Sequence, residues 1–357
     1  MFKADQLKKE GFMVLGGSEL AHMMEKDREF GAEIAKKAGV NPPPTYEFSD
    51  IQSGLDLLES NPETAYVFKP DEPDDKAWTT TIPDSERNDK ANRELYEFLR
   101  VMPEGKGDYI LQERKSGIEI NIEIFVYQGK AFFAHANYEC KKKSNRDLGE
   151  FGGCAFDIEF VVPVDCKLVQ DTVGNLLKLP EFKNYIGILD MNLICGDNQY
   201  WFLEFCARFG YNALPNLIFN LGISPFGEIM SDFLTGNVKD FYKHFRVGYG
   251  ASITLRKETR VSGLPILIDE TIDHKFYHFD TYKENEMYYL SGYGEEVGIV
   301  MGMDYDIKSA SEEALKNLDK ISFPGKSART DIDQTNFLNN PLERNIASEA
   351  MKLFDKI

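Results

Sequence analysis

Gly187-Ile188-Leu189-Asp190-Met191-Asn192-Leu193 and, shortly after, Phe202-Leu203-Glu204-Phe205-Cys206-Ala207-Arg208-Phe209-Gly210 decide the fold of this chain. Both are apolar runs of strand length, and the Gly196-Asp197-Asn198 between them is turn chemistry, so Tyr185 to Leu193 and Tyr200 to Phe205 read as an antiparallel hairpin. Period-2 geometry can bring Asn192 and Glu204 onto one face of that hairpin. Two oxygen ligands from neighbouring strands, with waters and phosphates completing an octahedron, suit magnesium. On spacing alone an ordinary acid in a half-exposed strand is the commoner reading. The apolar run around Glu204 and the arginine at 208 shift it, because a carboxylate in such surroundings binds a cation or pairs with a base to offset desolvation.

Upstream, Tyr109 to His135 alternates strand-like runs with turns at Ser116-Gly117 and Gln128-Gly129, and Ile118 to Ile124 alternates strictly; this reads as an antiparallel meander. Apolar positions at Phe30, Ile34 and Ala38 predict a helix over 25–38 with Gly39 as its cap. Asn41-Pro42-Pro43-Pro44 is a rigid connector, a helix is expected at Ile51 to Leu58, and a strand at Ala65 to Lys69. Helical spacing returns around Asp165 to Leu177 and Pro225 to Leu234. Beyond Arg246 come short strands (Ile253 to Leu255, Tyr288 to Leu290, Val297 to Met301), a helix from Ser309 to Ile321 and a polar tail with a helix from Asn345 to Lys356. That texture is taken as a separate lobe.

The 357 residues suffice for two or three lobes with their own cores. Cys140, Cys154, Cys166, Cys195 and Cys206 are odd in number and never spaced Cys-x-x-Cys, which implies neither a disulfide framework nor a zinc knuckle and fits a reducing compartment. No apolar run approaches the roughly 20 residues that span a bilayer, and the first residues are unlike a signal peptide, so a soluble cytoplasmic protein is expected. A formal net charge of -18 repels extended nucleic acid. Small phosphorylated ligands need only a local cluster of Lys, Arg and metal inside that acidic shell.

These stretches resemble the ATP-grasp ligase superfamily, and within it the phosphoribosylamine-glycine ligases, over almost the whole chain. The resemblance implies an α+β ATP-grasp fold: residues 1–20 a remnant of an N-terminal domain whose last strand is Gly11 to Gly16, residues 21–245 the ATP-grasp domain with a small subdomain at about 45–115, and 246–357 a small β-rich C-terminal lobe and tail. It makes Asn192 and Glu204 metal ligands, for magnesium or manganese, with Cys206 where an asparagine is usual; a thiol is a poor magnesium ligand. It implies phosphate contacts for Arg28, Lys69 and Lys141, a nucleotide contact for Lys142, and a catalytic phosphate or acyl-phosphate contact for Arg208 together with Lys141. Gln112 and Glu113 fall in the segment that binds adenine. Glu119 takes the position of the ribose-hydroxyl acceptor, a task that suits a carboxylate.

The run Cys140-Lys141-Lys142-Lys143 before Asp147 to Gly153 resembles the family's basic pair and glycine-rich loop, and Lys with backbone N–H groups can clamp an anion. Ala310 to Ile332 resembles the close of the last domain. The family's glycine-rich flap is replaced here by Pro70-Asp71-Glu72-Pro73-Asp74-Asp75-Lys76, which has no glycine to cradle phosphate, although Lys76 could partly substitute. The implied reaction is ATP-dependent ligation of a carboxylate, glycine or another amino acid, to an amine such as a nucleotide or phosphoribosylamine-like compound, in purine biosynthesis or a divergent setting. Two other readings stay open: a nucleotide-binding regulatory or scaffold protein with weakened catalysis, and one subunit of a split ligase whose partner chain supplies the missing N-terminal domain.

Overall fold

The computed structural model describes residues 3–15, 18–70, 80–81, 88–102, 108–115, 117–196 and 199–332. Among these residues the strands form three antiparallel sheets. The first joins β1 (Thr45–Phe48), β2 (Tyr66–Pro70), β3 (Thr80–Thr81) and β4 (Tyr109–Glu113) in the order β1-β4-β2-β3. Helices Ile51–Ser60 and Asn88–Val101 accompany it, and Leu55, Leu58, Phe68, Leu95, Leu99 and Leu111 form its core.

The second sheet is the body of the molecule. It takes β5 (Ile118–Tyr127), β6 (Lys130–Ser144), β7 (Leu148–Val162), β8 (Gly187–Gly196), β9 (Gln199–Cys206) and β10 (Tyr249–Lys257). The remaining strands are β11 (Pro265–Ile268), β12 (Phe276–His278), β13 (Thr281–Glu284), β14 (Met287–Leu290), β15 (Glu296–Asp304), β16 (Ile321–Ser322) and β17 (Lys326–Ser327). In the body the order is β12-β15-β10-β7-β6-β5-β8-β9, with β17 pairing with β10; β13-β14-β11-β16 make a small third sheet.

Several expectations are corrected here. The meander is two units, because β4 pairs with β1 and β2 while β5 pairs with β6 and β8. The chain changes sheet in the short link after Arg114. The helix expected over 25–38 is two, Glu19–Lys26 and Arg28–Lys37, because the Asp27 side chain accepts from the Phe30 N–H at 3.0 Å and caps the second. Gly39 does end that helix, at φ +86°, with the Val40 N–H donating to the Ala35 carbonyl. No strand forms over the described 11–15; Phe12 and Met13 are exposed and pair with no neighbour in a sheet. The glycine-rich stretch before Gly153 falls within strand β7, where Phe151 pairs with Lys142 and Leu148 with Ser144 and the register shifts between these pairs. Strands after Arg246 do not stand apart, since β10 pairs directly with β7. The Asp71 to Lys76 flap, the side chains of 147–151 and the tail helix at Asn345 to Lys356 lie outside the described residues.

The faces of the large sheet explain its role. One face carries Ile120, Ile122, Ile124, Ala136, Ile158 and Met191 into a continuous apolar core. The other is divided. At one end Phe125, Phe133, Val161 and Ile188 pack under helix Phe226–Thr235 and its neighbours; at the other end the same parity of residue is polar, and that half faces the first sheet across a cleft.

Candidate active site

The cleft encloses about 1700 Å³. Its floor is set by register. Asn192 stands opposite Glu204 on β9, Asn121 opposite Asn192 on one side and Asn137 on the other, and Asn137 opposite Glu159. Five strands thus present one row, Glu204, Asn192, Asn121, Asn137 and Glu159. In the adjoining row Cys206, Asp190, Glu123 and His135 face one another in the same way.

At the β9 edge the expected residues converge on Lys141. Its ammonium lies 2.5 Å from Glu119 Oε1, 3.6 Å from Glu204 Oε1 and 3.7 Å from Glu139 Oε2. Burial opposes that charge, but the three carboxylates outweigh it and raise the Lys141 pKa well above its ordinary value. Glu119 also accepts from Asn192 Nδ2 at 3.0 Å. Asn192 is buried while the Glu204 side chain is 58% exposed, so the pair has one end in the protein and one in the cleft. The Asn192 Oδ1 has no hydrogen-bond partner. An orphaned buried oxygen beside a half-exposed carboxylate is a donor set that fits a hard cation whose other positions are filled by phosphate and water. Among the described residues no three His, Cys, Asp or Glu side chains gather as a metal cluster, and a magnesium site that leans on phosphates does not need them.

The facing sheet supplies Lys69, whose ammonium donates to Gln112 Oε1 at 2.9 Å; Gln112 in turn donates to Thr45 Oγ1 at 3.0 Å. Burial lowers the Lys69 pKa to about 8, with Glu204 pulling it up and Arg28 and Lys141 pushing it down. Arg28 reaches the same strand end, donating to the Pro70 carbonyl at 2.7 Å. Glu113 pairs with Lys115 at 2.7 Å. Arg208 lies at the rim: its Nε is 3.2 Å from Glu25 Oε1, its Nη2 is 3.7 Å from Cys206 Sγ, and its guanidinium lies 5.0 Å from the Tyr211 ring centroid. Lys142 lines the cleft and its carbonyl accepts from the buried Arg329 at 3.3 Å. All ten expected residues, Arg28, Lys69, Gln112, Glu113, Glu119, Lys141, Lys142, Asn192, Glu204 and Arg208, therefore line one cleft.

Cys206 is half-buried, and burial with Asp190 and Glu204 nearby pushes its thiol up. The residues missed from sequence lie deeper. His135 is held between Glu159 at Nδ1 and Glu123 at Nε2, the latter at 2.9 Å. Burial alone would discharge it, but the two carboxylates raise it to about 10. The other Glu123 oxygen accepts from the Gly210 N–H at 3.0 Å, which ties the loop after Arg208 to the floor. The signal was present: Glu119-x-Asn121-x-Glu123, His135-x-Asn137-x-Glu139-x-Lys141, Asp157-x-Glu159 and Asp190-x-Asn192 are all period-2 polar series. An outward polar residue and a cleft-floor residue give the same alternation.

No protein-family model matches the chain. It is 20% identical over 349 residues to the phosphoribosylamine-glycine ligase of Fusobacterium nucleatum, covering 92% of this chain and 79% of that one. With the phosphoribosylamine-glycine ligase of Methanosarcina barkeri the identity is 26% over 343 residues, 88% of this chain and 75% of the relative. Among solved structures, the phosphoribosylamine-glycine ligase of Thermotoga maritima superposes with a TM-score of 0.66 at 19% identity, covering 89% of this chain and 81% of that one.

Proposed function

We propose, from the ATP-grasp fold that this chain has, that it is an ATP-dependent carboxylate-amine ligase related to the phosphoribosylamine-glycine ligases. The observation that carries the reading is the convergence of Glu119, Lys141, Asn192 and Glu204 with Lys69 at the mouth of a cleft between two antiparallel sheets. Cations there meet phosphate, while the carboxylate and the free amide oxygen meet a metal ion.

The reaction has two steps. A carboxylate oxygen takes the terminal phosphoryl group of ATP and ADP departs; an amine nitrogen then bonds the acyl carbon, the carbon–oxygen bond to phosphate breaks, and phosphate leaves with the electron pair as the nitrogen sheds its protons. Arg28, Lys69, Lys141 and Arg208 are assigned to the phosphates, Gln112, Glu113 and Lys142 to the nucleotide, and Glu119 to the ribose. Asn192 and Glu204 would hold magnesium, which neutralises charge on the transferred group when bound. Glycine or another amino acid is the carboxylate. The five cysteines are unbridged, which fits a reducing compartment such as the cytoplasm, and no described helix is long and apolar enough to cross a membrane.

A second reading rests on one observation. Lys141 is already matched by three carboxylates, which suits a chain that binds nucleotide and turns it over weakly, alone or with a partner chain. Amino-acid-dependent ADP release in a coupled assay separates the two. The ligase reading expects release with glycine or another small amino acid, abolished in Glu204→Gln; ATP binding with no turnover for any amino acid and amine tried would sink it in favour of the second.

A further inference from the structure

Forming the amide takes more than an acyl phosphate. Ammonia or an alkylamine arrives at neutral pH as its ammonium ion, which has no lone pair to offer, so the second step needs a base within reach of the nitrogen. The acids of the cleft floor can be taken in turn. Glu204 is assigned to the metal, and Glu119, which accepts from Asn192 Nδ2 at 3.0 Å, to the ribose. Glu123 and Glu159 are both spent on His135. Burial raises Asp190 well above the carboxylate range, with Glu123, Glu139 and Glu204 adding to the rise, so it is protonated and takes no further proton. Asp157 is raised in the same way and accepts from Ser252 Oγ, and from Asn137 and Asn216 at 3.5 Å each. Glu139 is left. Its side chain is 13% exposed and lines the cleft. One oxygen, Oε2, accepts from Asn121 Nδ2 at 3.1 Å and lies 3.7 Å from the Lys141 ammonium; the other, Oε1, takes no hydrogen bond from any of the described residues.

We propose that Glu139 is the base that takes a proton from the incoming amine, a catalytic role that rests on the ligase reading above. The place suits the chemistry. Glu139 stands two residues before Lys141 on β6 with its carboxylate beside the ammonium assigned to phosphate, so a nitrogen hydrogen-bonded to Oε1 lies beside the phosphate that Lys141 holds. The protons balance. The ammonium gives one to Glu139, and the freed lone pair bonds the acyl carbon. The second passes to the oxygen whose bond to that carbon breaks, phosphate leaves as hydrogen phosphate, and Glu139 returns its proton to water. Its neighbours tune it for this. Burial raises Glu139 to about 7; Lys141 opposes the rise, Glu119 on β5 and Glu204 on β9 add to it, and the Asn121 amide opposes it. Asp157 and Cys154 face it from β7 and Asp190 from β8. A carboxylate poised near 7 is ionised enough to accept a proton and basic enough to draw one.

The test compares two nucleophiles. The full chain is turned over with saturating ATP and glycine and either ammonium chloride, whose product is glycinamide, or hydroxylamine, which is already neutral at pH 7 and traps the acyl phosphate as its hydroxamate without a base. At pH 7 the ratio of glycinamide to hydroxamate is expected to fall about a hundredfold in Glu139→Gln, whose side-chain oxygen can still accept from Asn121. In the wild type glycinamide formation rises with pH and levels off above about 7, once Glu139 is ionised; in the variant it follows free ammonia and keeps rising. Hydroxamate made by the variant reports that it is folded. An unchanged ratio, an unchanged pH profile, hydroxamate lost in step with glycinamide, or a wild type that makes hydroxamate and no glycinamide would each overturn the proposal and leave the ligase reading standing. Absence of hydroxamate from the wild type would overturn the ligase reading and the proposal with it.

Discussion

At the scale of single residues, the chemistry of the cleft turns on a few charges held against burial. Lys69 is the clearest. Desolvation lowers it to about 8, so it is cationic below that pH and neutral above it. ATP affinity should therefore fall as pH rises through about 8, a range in which the terminal phosphate is already fully ionised, and Lys69→Gln should bind ATP more weakly at pH 7 and lose that step. Titration of ATP binding by calorimetry between pH 7 and 9 checks both; a wild-type profile flat through 8 contradicts the assignment. The resemblance to a known family singled out Glu204, Asn192 and Lys69, which spacing alone did not, and the fold places all three at the cleft. Neither singled out Glu123, His135, Asn121 or Asn137, because their meaning lies in cross-strand partners that are distant along the chain.

At the scale of elements, local chemistry sets the boundaries. The β5–β6 hairpin turns on Gln128 and Gly129 at φ 49° and 73°, the left-handed pair that a tight turn demands. A Cβ at Gly129 would lie 2.6 Å from the Lys183 carbonyl oxygen and 2.7 Å from that of Phe182. Gly129→Ala should then destabilise the protein by about 1–3 kcal/mol, read as a lower midpoint in urea with little change in slope; an unchanged midpoint would mean that the turn relaxes. Turn glycine and alternation were enough to find this hairpin and the β8–β9 pair. They failed at β4, which has a strand's pattern but joins the other sheet; at Asp147 to Gly153 the resemblance implied a glycine-rich loop, and there Leu148 and Phe151 pair with β6. Pairing partners decide such cases, and a local pattern does not contain them.

At the scale of the molecule, the large sheet runs through what composition suggested were two lobes. β10 covers the edge of β7, pairing Ile253 with Phe156 and Tyr249 with Phe160, and helix Ile307–Leu318 adds Ala310, Ala314 and Leu318 to the same core. A chain ending at residue 245 should therefore fail to fold, leaving an open apolar sheet edge that aggregates; recovery of a soluble, protease-resistant 1–245 fragment would show that the later strands are dispensable. The fold class was legible through the resemblance that the hairpin around Glu204 and the stretches before it bear to a known family. The seam was not, because a change of texture after Arg246 marks short strands and turns and says nothing of which sheet they join.

The central claim is that a phosphoryl group passes to a substrate carboxylate in this cleft. Turnover of ATP with glycine labelled with oxygen-18 in its carboxylate, in the presence of hydroxylamine, tests it most directly, by mass spectrometry of the released phosphate. An acyl-phosphate route places one labelled oxygen in the phosphate. Phosphate released without label, in step with ADP, would mean that water and not the carboxylate receives the group, and would contradict the account.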